Sequence, residues 1–306
     1  MKKIAFLFAG QGAQYPGMGK TLYAESPAAK ALYDAAETVR PGTMAQSFEG
    51  TPEELKRTEN TQPCLYLVDL AAALALEEAG IHADAAAGFS LGEIAALAFA
   101  EVYSPVDGFR IVSTRGKLMQ EAAEAADTAM CAVVKLDAET VAKTAAEFRE
   151  LYAVNFNCPG QTVVSGLSES MPAFTAKIKE LGGRCIPLAV SAAFHSPFMA
   201  EAAAEFGRYL SAQSFNAPRV PVYANLTALP YESDVAETLG KQMCNPVRWQ
   251  ETIEHMIADG FTDFIEVGAG KTLSGLVKKI SADVRIYNVD SAETLAETVK
   301  AVTESC

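Results

Sequence analysis

The stretch Gly88 to Gly92 reads G-x-S-x-G, with Ser90 at its centre. It follows the small-residue run Ala85 to Gly88 and opens an alanine-rich helical pattern from Leu91 to Glu101. A tight strand-to-helix turn exposes the serine hydroxyl, small flanking residues let the backbone pass, and the start of a helix favours negative charge. Ser90 is therefore a candidate nucleophile, with a helix-capping serine as the alternative. A serine nucleophile needs a base, and the chain offers three histidines. His82 lies in a polar turn after Gly80, and His255 within an amphipathic helical pattern. His195 stands between Phe194 and the pair Ser196 and Pro197, which read as an N-cap and a first helical position. A helix start beside an imidazole disfavours the cation and keeps the ring able to accept a proton. The alternative is a loop histidine satisfied by backbone groups.

Arg115 is the third candidate. Val112 and Met119 stand three before and four after it, so helical spacing puts the guanidinium on the apolar stripe. A buried arginine must be paired, either with a carboxylate of the protein or with that of a ligand. Gly116 beside it permits close approach. The glycine-rich run Gly10 to Gln14 is not a phosphate loop. Walker A before Lys20 needs glycine at Gln14, before Lys271 it needs glycine at Ile265, and G-x-G-x-x-G from Gly10 meets Tyr15. It reads as a plain tight turn, or as a loop of backbone donors beside Ser90. In the second case the N–H groups of Gln11 and Leu91 face a developing oxyanion.

An α/β frame must hold these groups. Ile4 to Ala9 is a short apolar run ending at Gly10, as expected of a strand buried on both faces. Helical patterns near 20–38 and 62–79, the run Ala85 to Gly88 and the pattern after Ser90 continue an alternation of strand and helix. From about Thr128 the rhythm changes: strand 129–136, helix 138–150, strands 151–157 and 162–166 around Pro159 and Gly160, helix 169–181, strand 184–190. That order, βαββαβ, is the ferredoxin-like split unit. Helix 197–210, strand 220–224, helix 249–259, strand 264–267 and helix 272–281 then resume the first rhythm. The expected layout is a discontinuous α/β domain, 1–124 and 193–306, with a small ferredoxin-like domain inserted at 125–192.

The 306 residues amount to roughly two domains. Half are hydrophobic and 21% charged, which excludes a disordered chain. Twenty-five Lys and Arg against 38 Asp and Glu leave a net charge of −13. That balance opposes attraction to nucleic acid or an anionic membrane, so an anionic ligand must find local cations. The six cysteines, at 64, 131, 158, 185, 244 and 306, are far apart and form no CxxC. Reduced thiols in a cytoplasm are expected, with no metal site and no disulfide scaffold. Lys2 and Lys3 before an apolar run imitate a signal peptide, but the run is minimal and flows into a glycine-rich loop, so a buried strand is the reading. Charge interrupts every longer apolar stretch before about 18 residues, too early for a membrane span.

Eight motifs stand in order along the chain: FAGQGAQ (8–14), TQPCL (61–65), GFSLGE (88–93), RGKLMQEA (115–122), NFNCPGQTVVSG (155–166), AAFHSPFM (192–199), NPVRW (245–249) and EVGAGKTL (266–273). Together they resemble, end to end, the malonyl-coenzyme A:acyl carrier protein transacylase family of fatty-acid synthesis. The resemblance implies an α/β-hydrolase-like large domain with an inserted ferredoxin-like small domain, and a ping-pong transfer without a cofactor. Ser90 would take the malonyl group of malonyl-CoA as an ester, with His195 as base and then acid. The phosphopantetheine thiol of acyl carrier protein would collect it. Gln11 and Leu91 would supply the oxyanion hole, and Arg115 would clamp the malonyl carboxylate bidentately. A main-chain carbonyl, expected at Arg248, would orient His195. Many members carry histidine immediately before the nucleophile, where this chain has Phe89; a polar group beside the substrate is thereby lost. Phe194 looks like the malonyl-selective form of the pattern, its ring crowding an α-methyl branch. Gln62, Asn155, Asn157, Gln161 and Arg184 are expected toward coenzyme A or the entrance. A cytoplasmic monomer is expected, with Lys271, Lys278, Lys279, Lys177, Lys179 and Arg184 as candidates for docking an acidic carrier protein.

Three other functions use the same residues. A serine thioesterase or hydrolase would pass the acyl group from Ser90 to water, but one acting on neutral acyl chains has no need of a buried Arg115. A catalytically silent carrier-docking module would not need the set at all. A trans-acting acyltransferase of a polyketide pathway would share all of the chemistry.

Overall fold

The computed structural model describes residues 2–190 and 192–304; Cys306, the last of the six cysteines, lies outside them, as do Met1, Ser191 and Ser305. Among the described residues the strands are Ile4–Phe8 (β1), Ala85–Gly88 (β2), Thr128–Val134 (β3), Leu151–Cys158 (β4), Gln161–Leu167 (β5), Arg184–Pro187 (β6), Val222–Tyr223 (β7), Asp263–Val267 (β8) and Arg285–Val289 (β9). β1 is apolar throughout because both of its faces are covered. Phe6 and Phe8 enter one core, under the helices Thr58–Glu78 and Gly92–Phe99, while Ala5 and Leu7 enter a second with Trp249, Ile253 and Val277. It is the central strand of a five-stranded sheet, β7-β2-β1-β8-β9, in which every pairing is parallel. Ligand sites of such sheets lie beyond the carboxyl ends of the strands, and the loops after β1 and β2 carry Gln11 and Ser90.

The second sheet is antiparallel, in the order β4-β5-β3-β6. Helices Ala138–Ala146 and Met171–Glu180 supply Val141, Phe174 and Ile178 to a core with Val133 and Val164. This is the ferredoxin-like βαββαβ unit, and the α/β fold with a second small sheet is as expected. Phe156 N–H donates to Val247 O at 2.9 Å and Val247 N–H to Val154 O at 2.8 Å, tying β4 to the stretch before Trp249.

Several elements differ from the sequence pattern for local reasons. The helical run 20–38 divides at Ser26, whose side chain caps the next helix by accepting from Ala29 N–H, with Pro27 in the first position. The helix expected from 62 begins at Thr58 and continues through Pro63. Strand 184–190 ends at Pro187, where pairing with Cys131 stops. Strand 220–224 shrinks to Val222–Tyr223. Helix Pro105–Glu124, capped by Ser104, carries Arg115. Among the described residues, no helix is long and apolar enough to cross a membrane.

Candidate active site

Ser90 lies at the sharp turn between β2 and helix Gly92–Phe99, with φ of 56°, a left-handed conformation costly for a residue with a Cβ. The surroundings hold it there. A Cβ on Gly88 would lie 2.0 Å from the Gly92 carbonyl, and one on Gly92 would lie 2.3 Å from Phe8 O, so both motif glycines are required by close packing. The Asn225 side chain fastens the turn at two points, accepting from Ser90 N–H at 2.7 Å and donating to Gly88 O at 2.7 Å. Gly10 is pressed against the residue before the nucleophile, since a Cβ there would stand 2.9 Å from Phe89 O. Gln11 thus follows the point where the two loops touch. Neither Gln11 N–H nor Leu91 N–H has a hydrogen-bond acceptor among the described residues.

His195 meets the nucleophile directly: Ser90 Oγ and His195 Nε2 are 2.8 Å apart. On the other side of the ring Nδ1 is 2.9 Å from the main-chain oxygen of Gln242. A carbonyl only accepts, so Nδ1 carries the proton and Nε2 presents its lone pair to the serine hydroxyl. The orienting carbonyl is therefore that of Gln242 and not, as expected, that of Arg248. The Arg248 carbonyl is already taken by the helix it opens, Trp249–Ala258, where it accepts from Thr252 N–H and Thr252 Oγ1, both at 2.9 Å. Burial, and after it the positive charge of Arg115, pushes the His195 pKa down to about 4. Desolvation is the largest cause, and the 3-10 turn Pro197–Met199 after the histidine leads straight into helix Ala200–Ser211. The ring is neutral at neutral pH and ready to accept a proton.

Arg115 is fully buried, and among the described residues no carboxylate pairs with it. Its Nη1 donates to Gln62 Oε1 at 2.9 Å, and its Nη2 donates to Gln242 Oε1 at 2.8 Å and to Ser90 Oγ at 3.1 Å. Nε has no partner among the described residues. Burial lowers its pKa to about 10, against the opposing pull of Glu93, so it stays protonated at neutral pH. An internal salt bridge, one of the two pairings open from the sequence, is not formed: the cation is held by the neutral oxygens of Gln62, Gln242 and the nucleophile's own hydroxyl. Beside Ser90 and His195 lies a cavity of about 490 Å³, walled by Gln11, Phe89, Asn155 and Phe194 among others.

The acyl transferase domain family matches residues 5–300. The malonyl CoA-acyl carrier protein transacylase of Bacillus subtilis (strain 168) is 41% identical over 99% of this chain and 98% of its own length. That of Escherichia coli (strain K12) is 38% identical over 92% of this chain and 93% of its own. This chain belongs to the malonyl CoA-acyl carrier protein transacylase family. Among solved structures, the transacylase of Clostridium perfringens superposes with a TM-score of 0.94 at 34% identity, covering 99% of this chain and 98% of that one. A malonyl-transacylase solved in complex with a type II PKS acyl-carrier protein matches with a TM-score of 0.94 at 33% identity, over 98% of this chain and 100% of that one.

In this member of the transacylase family, Phe89 packs its ring edge-on against Trp249 at 5.4 Å, so the position before the nucleophile is part of the apolar wall. Asn155, Asn157 and Gln161 line the cavity. Two residues expected there are elsewhere. Gln62 is buried within helix Thr58–Glu78, and it holds Arg115. Arg184 is exposed at the start of the edge strand β6 and lines no part of the cavity. Phe194, only 7% exposed, walls the cavity one residue before the base. Phe194→Ser is expected to narrow the preference for malonyl- over methylmalonyl-CoA by roughly 10 to 200-fold, the worth of a methyl group in a pocket. The ratio of the two specificity constants checks it; an unchanged ratio removes Phe194 as the gate.

Sequence reasoning missed four polar residues around this centre: Glu93, Asn225, Tyr231 and Gln242. The side chains of Glu93, Asn225 and Gln242 are interlinked, Gln242 Nε2 donating to Ser90 O at 2.7 Å and to Glu93 Oε2 at 3.1 Å. Glu93 alone left a signal, as the single charge in the otherwise apolar helix Gly92–Phe99.

Proposed function

We propose that this chain transfers the malonyl group of malonyl-CoA to the phosphopantetheine thiol of an acyl carrier protein, through a malonyl ester on Ser90, as a cytoplasmic monomer without a resident cofactor. One observation carries the reading: Ser90 Oγ is shared by a neutral imidazole at 2.8 Å and a buried guanidinium at 3.1 Å. His195 Nε2 takes the serine proton as Oγ attacks the thioester carbonyl. Gln11 and Leu91 N–H groups receive the oxygen that becomes negative, and His195 then protonates the departing thiolate of coenzyme A. The carrier thiol repeats the sequence in reverse. Arg115 gives the acyl preference. Neutral oxygens take donors of Nη1 and Nη2 but leave Nε without a partner among the described residues and no carboxylate in direct contact, whereas a malonyl carboxylate supplies both acceptors and a contacting countercharge. A hydrolase of neutral acyl groups gains nothing from that cation.

The test is a set of initial rates with malonyl-CoA and holo carrier protein both varied. Parallel double-reciprocal lines are expected, with one malonyl-carrier formed per coenzyme A released. Coenzyme A release without malonyl-carrier would mean that water is the acceptor and the reading fails. Fatty-acid synthesis is the process this reaction serves; running the assay with a polyketide carrier in place of a fatty-acid carrier compares the two acceptors.

Docking of an acidic carrier falls to cations at the cavity mouth. Thr272, Leu273 and Leu276 line the cavity, and the same helix exposes Lys278 and Lys279, neither of them paired with a carboxylate among the described residues. Lys279 Nζ reaches Gln161 Oε1 at 3.3 Å, while Lys177 is half engaged with Glu180 at 3.8 Å. Rising salt is expected to raise the carrier KM while the malonyl loading rate changes little, since exposed charges are screened over about 8 to 10 Å. A carrier KM independent of salt would end this part of the account.

A further inference from the structure

Glu93 stands three residues after the nucleophile and is fully buried on an apolar helix. Its carboxylate takes three donors, two from the turn that holds Asn225 and Tyr231 and one from Gln242. Oε2 accepts from Asn225 N–H at 2.8 Å and from Gln242 Nε2 at 3.1 Å, and Oε1 accepts from the Tyr231 phenol. Two of these partners hold the reacting groups. Asn225 fixes both Ser90 N–H and Gly88 O, and so the strained turn. Gln242 uses three atoms: Nε2 on Ser90 O, Oε1 on Arg115 Nη2, and its main-chain oxygen on His195 Nδ1. Nucleophile, base and guanidinium are thus each one residue away from the same carboxylate.

We propose that Glu93 is a positioning residue for the transfer, its ionised carboxylate holding Asn225 and Gln242 and, through them, Ser90, His195 and Arg115 in one register. The inference rests on the roles of those three residues proposed above. The charge is what the arrangement needs. A carboxylate accepts from all three donors, whereas a protonated acid turns one oxygen into a donor, and of the three facing groups only the Tyr231 hydroxyl can accept it, at the loss of its own donation. The titratable groups facing Glu93 are Arg115, from helix Pro105–Glu124, and Tyr231 and Tyr103; both phenols are held well above their usual range and stay protonated. Burial pushes the Glu93 carboxyl up to about 7, and the hydrogen bond from Tyr231 pulls it down. As pH falls through that value the carboxylate is lost and the register with it.

The experiment measures kcat/KM for malonyl-CoA across roughly pH 5 to 9, where the profile reports groups of the free enzyme, in wild type, Glu93→Gln and Tyr231→Phe. Wild type is expected to lose activity as pH falls through about 7. Glu93→Gln is expected to have a plateau lower by about 10 to 100-fold, the cost of a small misplacement of reacting groups. Its acid limb should retreat toward the lower range of His195. Tyr231→Phe keeps the charge but removes one donor, so its acid limb should move to higher pH. An acid limb at the wild-type position in Glu93→Gln overturns the proposal. So does an unmoved limb in Tyr231→Phe, which decides the matter if circular dichroism shows Glu93→Gln unfolded. Intact mass of wild type after malonyl-CoA checks Ser90 esterification separately: its absence strikes the transfer reading itself, and its presence beside unmoved limbs strikes only the role of Glu93.

Discussion

Ser90→Ala is expected to abolish the acyl-enzyme and to reduce malonyl transfer by on the order of 10⁶-fold, the loss typical when the serine nucleophile of a hydrolase is removed. The reason is geometric. Ser90 Oγ lies within hydrogen-bond distance of both His195 Nε2 and Arg115 Nη2. The left-handed turn that presents it is built by glycines whose Cβ positions are already occupied. A rapid burst of coenzyme A release on mixing with malonyl-CoA reads the first half-reaction; the variant should show none while retaining the wild-type melting temperature. His195→Ala, which leaves the hydroxyl without its base, is expected to be the milder lesion, about 10² to 10⁴-fold in each half-reaction. A full burst in Ser90→Ala would remove Ser90 as the nucleophile.

Arg115→Ala is expected to invert the acyl preference. With the guanidinium gone, malonyl-CoA loses its countercharge, while acetyl-CoA, which has no carboxylate to place, should load as well or better. A buried charge-assisted pair broken on one side costs about 2 to 5 kcal/mol, or about 30-fold to several thousandfold in malonyl specificity. Arg115→Lys should recover only part of it, because an ammonium cannot reproduce the planar fork that now spans Gln62 and Gln242. The opposing possibility is that Arg115 is structural, tying helix Pro105–Glu124 to Gln62 and Gln242. In that case malonyl- and acetyl-CoA should fall together. Specificity constants for both substrates, in a variant with an unchanged melting temperature, separate the outcomes; a parallel loss of both refutes the clamp.

The reacting residues were legible because each is specified locally. Ser90 sits in a motif whose glycines mark a strand-to-helix turn, His195 is set apart from two unremarkable histidines, and Arg115 falls on an apolar stripe at helical spacing. The small sheet was legible from the order of its elements. What the sequence did not disclose depends on contacts between distant segments. Asn225 reaches Ser90 across 135 residues and Gln242 reaches it across 152, and neither stands in a pattern that marks it. The carbonyl that orients His195 is not legible from the sequence because a loop oxygen is free only if no helix begins on it, and Thr252 occupies that of Arg248. The inward position of Gln62 likewise depends on a distant partner, Arg115 on helix Pro105–Glu124, 53 residues away. Strand β9 escaped notice because it is a half-exposed edge strand without a continuous apolar run.

The central claim is that one malonyl group rests on Ser90 and leaves it for the carrier thiol. Intact mass spectrometry of both proteins tests this most directly, first after malonyl-CoA alone and then after addition of holo carrier protein. The protein should gain one malonyl group in the first step and lose it in the second, as the carrier gains it, with the label mapping to the peptide that contains Ser90. A carrier that becomes malonylated while the protein never carries the group, or a label mapping to any other residue, would contradict the account.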